Sequence, residues 1–404
     1  MNVTVQVRAS STQAVIAIPA HNEADWITRC LTALDKQEGQ VVSRVVLLVN
    51  NSTDQTAPIA RRLQQIVAFP LEIIEHQFLP EHQNAGQARR LAMEHAASWV
   101  PADGVLLCTD ADGQVAPDWL SANMSHIRNG ADAVAGRAII DPVDAAAIPA
   151  VLHEDDAREC AYAALLDEID CCIDPDPADP WPRHNEHSGA SICVTAKAFR
   201  CSGGIPPLPV GEDRAFFNAL RRADARLRHA LDVQVTVSGR IHGRAAGGMA
   251  DTIRRRLVMP DLFLDDVLEP AMARVRRARL RREIRGLFDG NGQVTTRLLN
   301  DLRCAPAVLA AALGRTTFGL AWEMVEAHAA ALSRVPVPVS ALPRETAQAE
   351  RILAALRSNR PAVSRRHRPE PQVLRPQTAQ PQTSRMAGRT RQADLARLEA
   401  AEGG

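Results

Sequence analysis

Between residues 14 and 140, short unbroken apolar runs alternate with longer amphipathic stretches. The runs AVIAI, VVLLV, LEII and GVLLC are short, bounded by polar segments and lack an apolar–polar alternation, so they predict strands buried on both faces. Helical spacing follows them from Ala24, Asp54, Gly86 and Pro117, and DAVAGRAII supplies a further strand. Strand–helix alternation of this kind predicts an α/β class, with a Rossmann-like, mostly parallel sheet flanked by helices. In such sheets chemistry gathers in the loops after the strands' carboxyl ends.

The pattern then changes. Residues 141–188 are irregular, with a helix expected around Asp155–Asp170 ahead of IDPDPADPWPRHNEH, and read as an inserted acceptor-side region. ASICV, the helical GEDRAFFNALRRA and the strand LDVQVTV complete a first domain over residues 1–250. Residues 251–357 carry helical periodicity and predict a helical extension. It includes an arginine-rich segment, MARVRRARLRREIR, expected as a solvated helix face or a contact for an acidic surface. Residues 358–404, rich in Pro, Gln, Ser and Arg, lack the apolar content to order themselves and predict a disordered basic tail.

Charge narrows the partners. Across 404 residues, 47 Lys and Arg balance 47 Asp and Glu, which gives no whole-protein field for nucleic acid, and none is expected as a partner. Only Lys36 and Lys197 are lysines, so a bound anion would meet arginine, backbone amides or a metal. The eight cysteines form no CxxC and read as reduced thiols. No signal peptide or apolar run of membrane-spanning length is present, which points to the cytoplasm.

Six segments carry candidate chemistry. CTDADG places Asp110 and Asp112 directly after a buried strand, where two carboxylates can meet a hard divalent cation, though Asp and Gly also favour plain turns. IPAHNE puts Ala20, Asn22 and Glu23 at the same sheet edge, where capping of the next helix is the competing reading. In VNNSTDQT, Asn50 and Asn51 can read a base or ribose edge. NAGQARR offers free amides at a helix start near Asn84 and a guanidinium fork from Arg89 or Arg90 for phosphate. GEDRAFFNAL sets Glu212 and Asp213 in a first helical turn, as a general base or as dipole partners. SGRIHGRAAGG gathers Arg240, His242 and Arg244 after the last strand.

In order and placement, PAHNE, NNSTD, NAGQAR, DAD, GED and RIH resemble the motif series of family 2 glycosyltransferases, over residues 14–248. The resemblance implies a GT-A fold and an inverting transfer from a nucleoside-diphosphate sugar, UDP- or GDP-linked, to an acceptor hydroxyl, of the hexosyltransferase class. It implies that Ala20, Asn22, Glu23, Asn50 and Asn51 line the nucleoside pocket, with Asn84 and Arg89 at the phosphates. Asp110 and Ala111 would face the ribose, with Asp110, Asp112 and His242 on Mn2+ or Mg2+. Arg240 and Arg244 would meet the leaving diphosphate, and Asp213, or its neighbour Glu212, would be the base. SGAS, with residues 184–187 before it, would lie near the acceptor. Asn50 stands where many members carry Asp. Two alternatives stay open: an inactive transferase-like binding scaffold, and a nucleotidyltransferase, for which IPAHNE is neither Gly-rich nor basic enough.

Overall fold

The computed structural model describes residues 13–240, 243 and 248–358. His242, Arg244 and the tail from residue 359 lie outside the described residues. The first half runs β1 (Ala14–Ala20), α1 (Ile27–Asp35), β2 (Arg44–Asn50), α2 (Thr56–Gln64), β3 (Leu71–His76), α3 (Ala85–Ser98), β4 (Val105–Cys108), β5 (Gln114–Val115), α4 (Trp119–Arg128) and β6 (Ala133–Ile140). Then come α5 (Pro142–Ala147), α6 (Ala150–Ile173), β7 (Ile192–Thr195), α7 (Ala196–Cys201), α8 (Glu212–Arg222) and β8 (Leu227–Val237). Among the described residues six α-helices follow: α9 (Met249–Val258), α10 (Ala271–Phe288), α11 (Thr296–Leu302), α12 (Pro306–Leu313), α13 (Phe318–His328) and α14 (Leu342–Ser358).

The eight strands form one mixed sheet in the order β3-β2-β1-β4-β7-β6-β8-β5. From β3 to β4 it is parallel, as the unbroken apolar runs require; β7 is antiparallel to both β4 and β6. Successive side chains of a strand point to opposite faces. Ile16 and Ile18 therefore join Val45 and Leu47 in one apolar layer, while Val15 and Ala17 join Val46 and Leu48 in the other. Every one of these eight is fully buried, which is why the runs show no polar alternation.

Register sets the position of the DAD loop. Ala17 of β1 pairs with Cys108, the last residue of β4, so residues 109–113 rise beside Ile18–Ala20 and the loop that follows. Two carboxylates and the IPAHNE segment thus meet at one edge.

The inserted region is more regular than its sequence suggested, because the expected helix extends to 24 residues in α6. Its second half shares an apolar cluster with α10 and α14, through Tyr162, Leu166, Val275 and Leu353. That cluster ties the second half of α6 to the helical extension. The arginine-rich face of α10 is not simply solvated. Arg277 is buried and donates to Glu269 and Glu326, Arg274 pairs with Asp170, and Arg281 and Arg285 pair with Asp174. Charges held this far from water need partners in place, and α6, α13 and the 269 turn provide them. Among the described residues no helix is long and apolar enough to cross a membrane.

Candidate active site

The loops after β1 and β2 are stitched to each other. The Asn22 amide donates to Ser52 Oγ at 3.0 Å, its side-chain oxygen accepts from the Thr53 amide at 2.8 Å, and the Glu23 amide donates to Thr56 Oγ1 at 2.7 Å. Asn50 is buried and its Nδ2 donates to the Ala20 carbonyl at 2.9 Å. Asn51 holds a left-handed φ of 44° and grips the Phe78 backbone at both ends, Nδ2 to the carbonyl at 2.9 Å and Oδ1 from the amide at 3.0 Å. The asparagines expected to line the nucleoside pocket thus bind backbone and fix the shape of the loops. Asn51→Ala should lower stability by about 2 kcal/mol, since it removes both bonds at a backbone angle that alanine disfavours. Urea midpoints check this, and Asn51→Gly, which restores the backbone freedom, should recover part of the loss.

In the DAD loop Ala111 is buried in the core, and Asp110 and Asp112 are partly exposed. Arg240 lies across the carboxylates. Its Nη1 and Nη2 donate to the two Glu23 oxygens at 2.9 Å each, and Nη2 is 3.1 Å from Asp112 Oδ2. Burial, then Asp110, push the Asp112 carboxyl up to about 7, against the pull of Arg240. A crowded, incompletely neutralised pair of hard oxygen donors suits Mn2+ or Mg2+. Among the described residues no three His, Cys, Asp or Glu side chains converge as a ligand set. The third ligand expected, His242, lies outside the described residues, as does Arg244.

Arg89 is almost fully buried and does not present an open fork for phosphate. From α3 its Nε donates to Glu212 at 3.0 Å, and Nη1 donates to Asp110 at 2.9 Å and to the Gly189 carbonyl at 2.8 Å. A Cβ at Gly189 would stand 2.3 Å from Arg89 Nη2 and would have to displace the guanidinium. Gly86 is constrained more firmly, because its Cβ would meet the Leu208 backbone carbonyl at 1.9 Å. These approaches seat the turn before α8 on the start of α3. Asn84 caps α3, accepting from the Gln87 amide at 2.9 Å.

The two candidate carboxylates on α8 therefore differ. Glu212 is buried against Arg89, whereas Asp213 is half-buried, accepting from the Gly189 amide at 3.0 Å through Oδ2 and from the Arg214 amide at 2.7 Å through Oδ1. Asp213 borders the SGAS segment, in which Ser191 Oγ accepts from Trp119 Nε1 at 2.8 Å.

Three neighbouring residues were not singled out from sequence: Asp179, Arg221 and His229. Asp179 Oδ2 lies 2.7 Å from His229 Nδ1, and Arg221 Nη2 lies 3.0 Å from His187 Nε2. Asp179 comes from the Pro-rich stretch, Arg221 from the end of α8 and His229 from β8, so only the fold brings them together. Burial pushes His184 down to about 3 and His187 down to about 2.

Residues 15–162 match the family model described as Glycosyl transferase family 2. No curated protein matches the chain. Among solved structures, S. aureus TarS is similar at 15% identity and a TM-score of 0.41, covering 85% of this chain and 54% of that one. This chain thus spans about half the length of that structure. The mannosyltransferase PcManGT from Pyrobaculum calidifontis, in complex with GDP-Man and Mn2+, is similar at 16% identity and a TM-score of 0.41, with 87% and 88% of the two chains covered. Glucosyl-3-phosphoglycerate synthase from Mycobacterium tuberculosis, in complex with Mn2+, UDP and glucosyl-3-phosphoglycerate, is similar at 14% identity and a TM-score of 0.36, with 63% and 84% covered.

Proposed function

From a chain that carries a glycosyl transferase family 2 segment over residues 15–162, we propose an inverting glycosyltransferase that moves a sugar from a UDP- or GDP-sugar to an acceptor hydroxyl. The observation that carries this reading is the division of labour on α8. Glu212 is committed to Arg89, and Asp213, one residue on, is half-buried and oriented by two backbone amides. A general base needs an ionised, positioned carboxylate within reach of the acceptor hydroxyl.

In the step proposed, Asp213 takes the acceptor proton as the acceptor oxygen bonds to the anomeric carbon. The bond from that carbon to the diphosphate oxygen breaks, and the nucleoside diphosphate leaves with the electron pair. Attack from the face opposite the leaving group inverts the anomeric centre. Arg240 lies beside Glu23 and Asp112, where it brings positive charge to the side on which diphosphate charge develops. Asp110 and Asp112 would hold Mn2+ or Mg2+, which supplies further charge for the diphosphate when bound. The loops after β1 and β2, held rigid by their cross-bonds, would receive the nucleoside. Residues 1–250 would form the transferase domain and residues 251–357 its helical extension.

The test is a titration of UDP and GDP with Mn2+ or with excess chelator, followed by hydrolysis assays on a panel of sugar nucleotides. Nucleotide binding should require the cation, and Asp112→Asn should weaken it more than tenfold at unchanged melting temperature. Equal affinity with and without chelator would overturn the metal assignment, and no hydrolysis or transfer with any sugar nucleotide would overturn the reaction.

A further inference from the structure

We propose that Arg221, His187 and Asp213 line one acceptor channel, and that Arg221 binds an oxyanion, a phosphate or carboxylate, carried by the acceptor about 12 Å from the hydroxyl that reacts. The span follows from the helix: residues 213 and 221 lie eight positions apart on α8, at a rise of about 1.5 Å each. Asp213, Phe217 and Arg221 succeed one another at i, i+4 and i+8, so they form a slowly drifting stripe on one side of α8. His187 packs its ring on Phe217, with centroids 5.0 Å apart, and fills the middle of that stripe. The channel rests on the reading of Asp213 as the base; the anion site stands on its own geometry.

The hydrogen-bond inventory around Arg221 explains why an anion suits it. Asp179 Oδ2 accepts from His229 Nδ1 at 2.7 Å, which leaves His229 Nε2 bare. Arg221 Nη2 is 3.0 Å from His187 Nε2 and 3.4 Å from His229 Nε2, and the two ring nitrogens are 3.1 Å apart. A guanidinium only donates, so the assignment that satisfies all three groups has both Nε2 atoms bare and the two Nη2 hydrogens shared between them. His187 then carries its hydrogen on Nδ1. Nη1 of Arg221 donates to Asn218 Oδ1 at 3.3 Å. Nε–H and the second Nη1 hydrogen of Arg221, together with Nδ1–H of His187, make a set of donors with no carboxylate among them.

The surrounding charge agrees. Among the described residues no carboxylate pairs directly with Arg221, which is exposed. The nearby acids are engaged elsewhere: Asp179 with His229, Arg183 and Arg228, Asp167 with Arg183, and Asp174 with Arg281 and Arg285. His187 and His229 are held neutral beside it, so neither repels the cation, and His187 adds one donor through Nδ1–H while His229 spends its own on Asp179. A planar fork with an uncompensated charge is suited to bidentate capture of an oxyanion.

The experiment titrates the full chain, saturated with nucleoside diphosphate and Mn2+ so that the donor site is occupied, with inorganic phosphate in one arm and acetate in the other. Calorimetry should show saturable binding of at least one anion, weakened at least tenfold by Arg221→Gln and partly restored by Arg221→Lys at unchanged melting temperature. His187→Ala should weaken it less than Arg221→Gln. An anion affinity that is equal in wild type and Arg221→Gln, or no saturable binding in either arm, overturns the proposal. Asp213→Asn should keep the anion affinity of wild type. Failure of Asp213 as a base therefore shows in the transfer rate, and failure of the anion site shows here.

Discussion

Asp213→Asn should lower the rate of sugar transfer by a factor on the order of 10² or more, the scale at which a positioned base contributes, while nucleotide affinity stays near wild type. The amide is nearly isosteric. Its oxygen can still accept from the Gly189 amide that now meets Asp213 Oδ2 at 3.0 Å, so that contact to the loop is retained, while the proton acceptor and the bond from the Arg214 amide are lost. Glu212→Gln is the matching control and should behave in the opposite way. Its carboxylate is buried 3.0 Å from Arg89 Nε, so neutralising it leaves the guanidinium short of a partner and lowers stability more than chemistry. Stopped assays of transfer with urea midpoints on the same samples separate the two. Transfer that survives Asp213→Asn but collapses in Glu212→Gln at full stability would move the base by one residue. Survival in both would refute the mechanism.

Much of this arrangement was legible in the sequence, for a physical reason. A strand buried on both faces must be apolar at every position, so AVIAI and VVLLV announced β1 and β2, and the polar residues after them had to be loop. The same logic placed the DAD loop and IPAHNE at one edge before any register was known. What stayed hidden was the job each polar side chain does there. Asn51 and a base-reading asparagine look alike in a sequence; only the Phe78 backbone, 27 residues away and delivered by the end of β3, separates them. Arg221 and His229 were equally silent, since an arginine closing a helix and a histidine in a strand are ordinary until Asp179 and His187 arrive from a Pro-rich stretch without local periodicity. The arginine face of α10 misled for the converse reason. Its helical period was plain, but the acids that bury it come from α6, α13 and the turn at Glu269.

The largest stability effect is expected at Arg89, where the sequence suggested a phosphate ligand and the fold places a buried hub. Arg89→Met keeps the volume but strips the counter-charge from Glu212 and the donor from Asp110 and the Gly189 carbonyl. Removing one partner from a buried ion pair costs about 3–5 kcal/mol, because the carboxylate left behind has lost its hydration without compensation. Arg89→Lys, which keeps the charge and loses the fork, should fall between. A solvent-facing phosphate ligand predicts the reverse, less than about 1 kcal/mol of stability with most of the loss in nucleotide affinity. Gly189 supplies the decisive cross. Its Cβ would stand 2.3 Å from Arg89 Nη2, so Gly189→Ala should destabilise the wild-type chain by displacing the guanidinium. In the Arg89→Met background, where a flexible thioether replaces the fork, the same alanine should cost far less. The two losses should fail to add by more than about 0.5 kcal/mol, the limit within which independent sites normally agree. Simple additivity in urea midpoints would mean that Arg89 and Gly189 do not share the contact, and that Asp213 is held beside SGAS by something other than this hub.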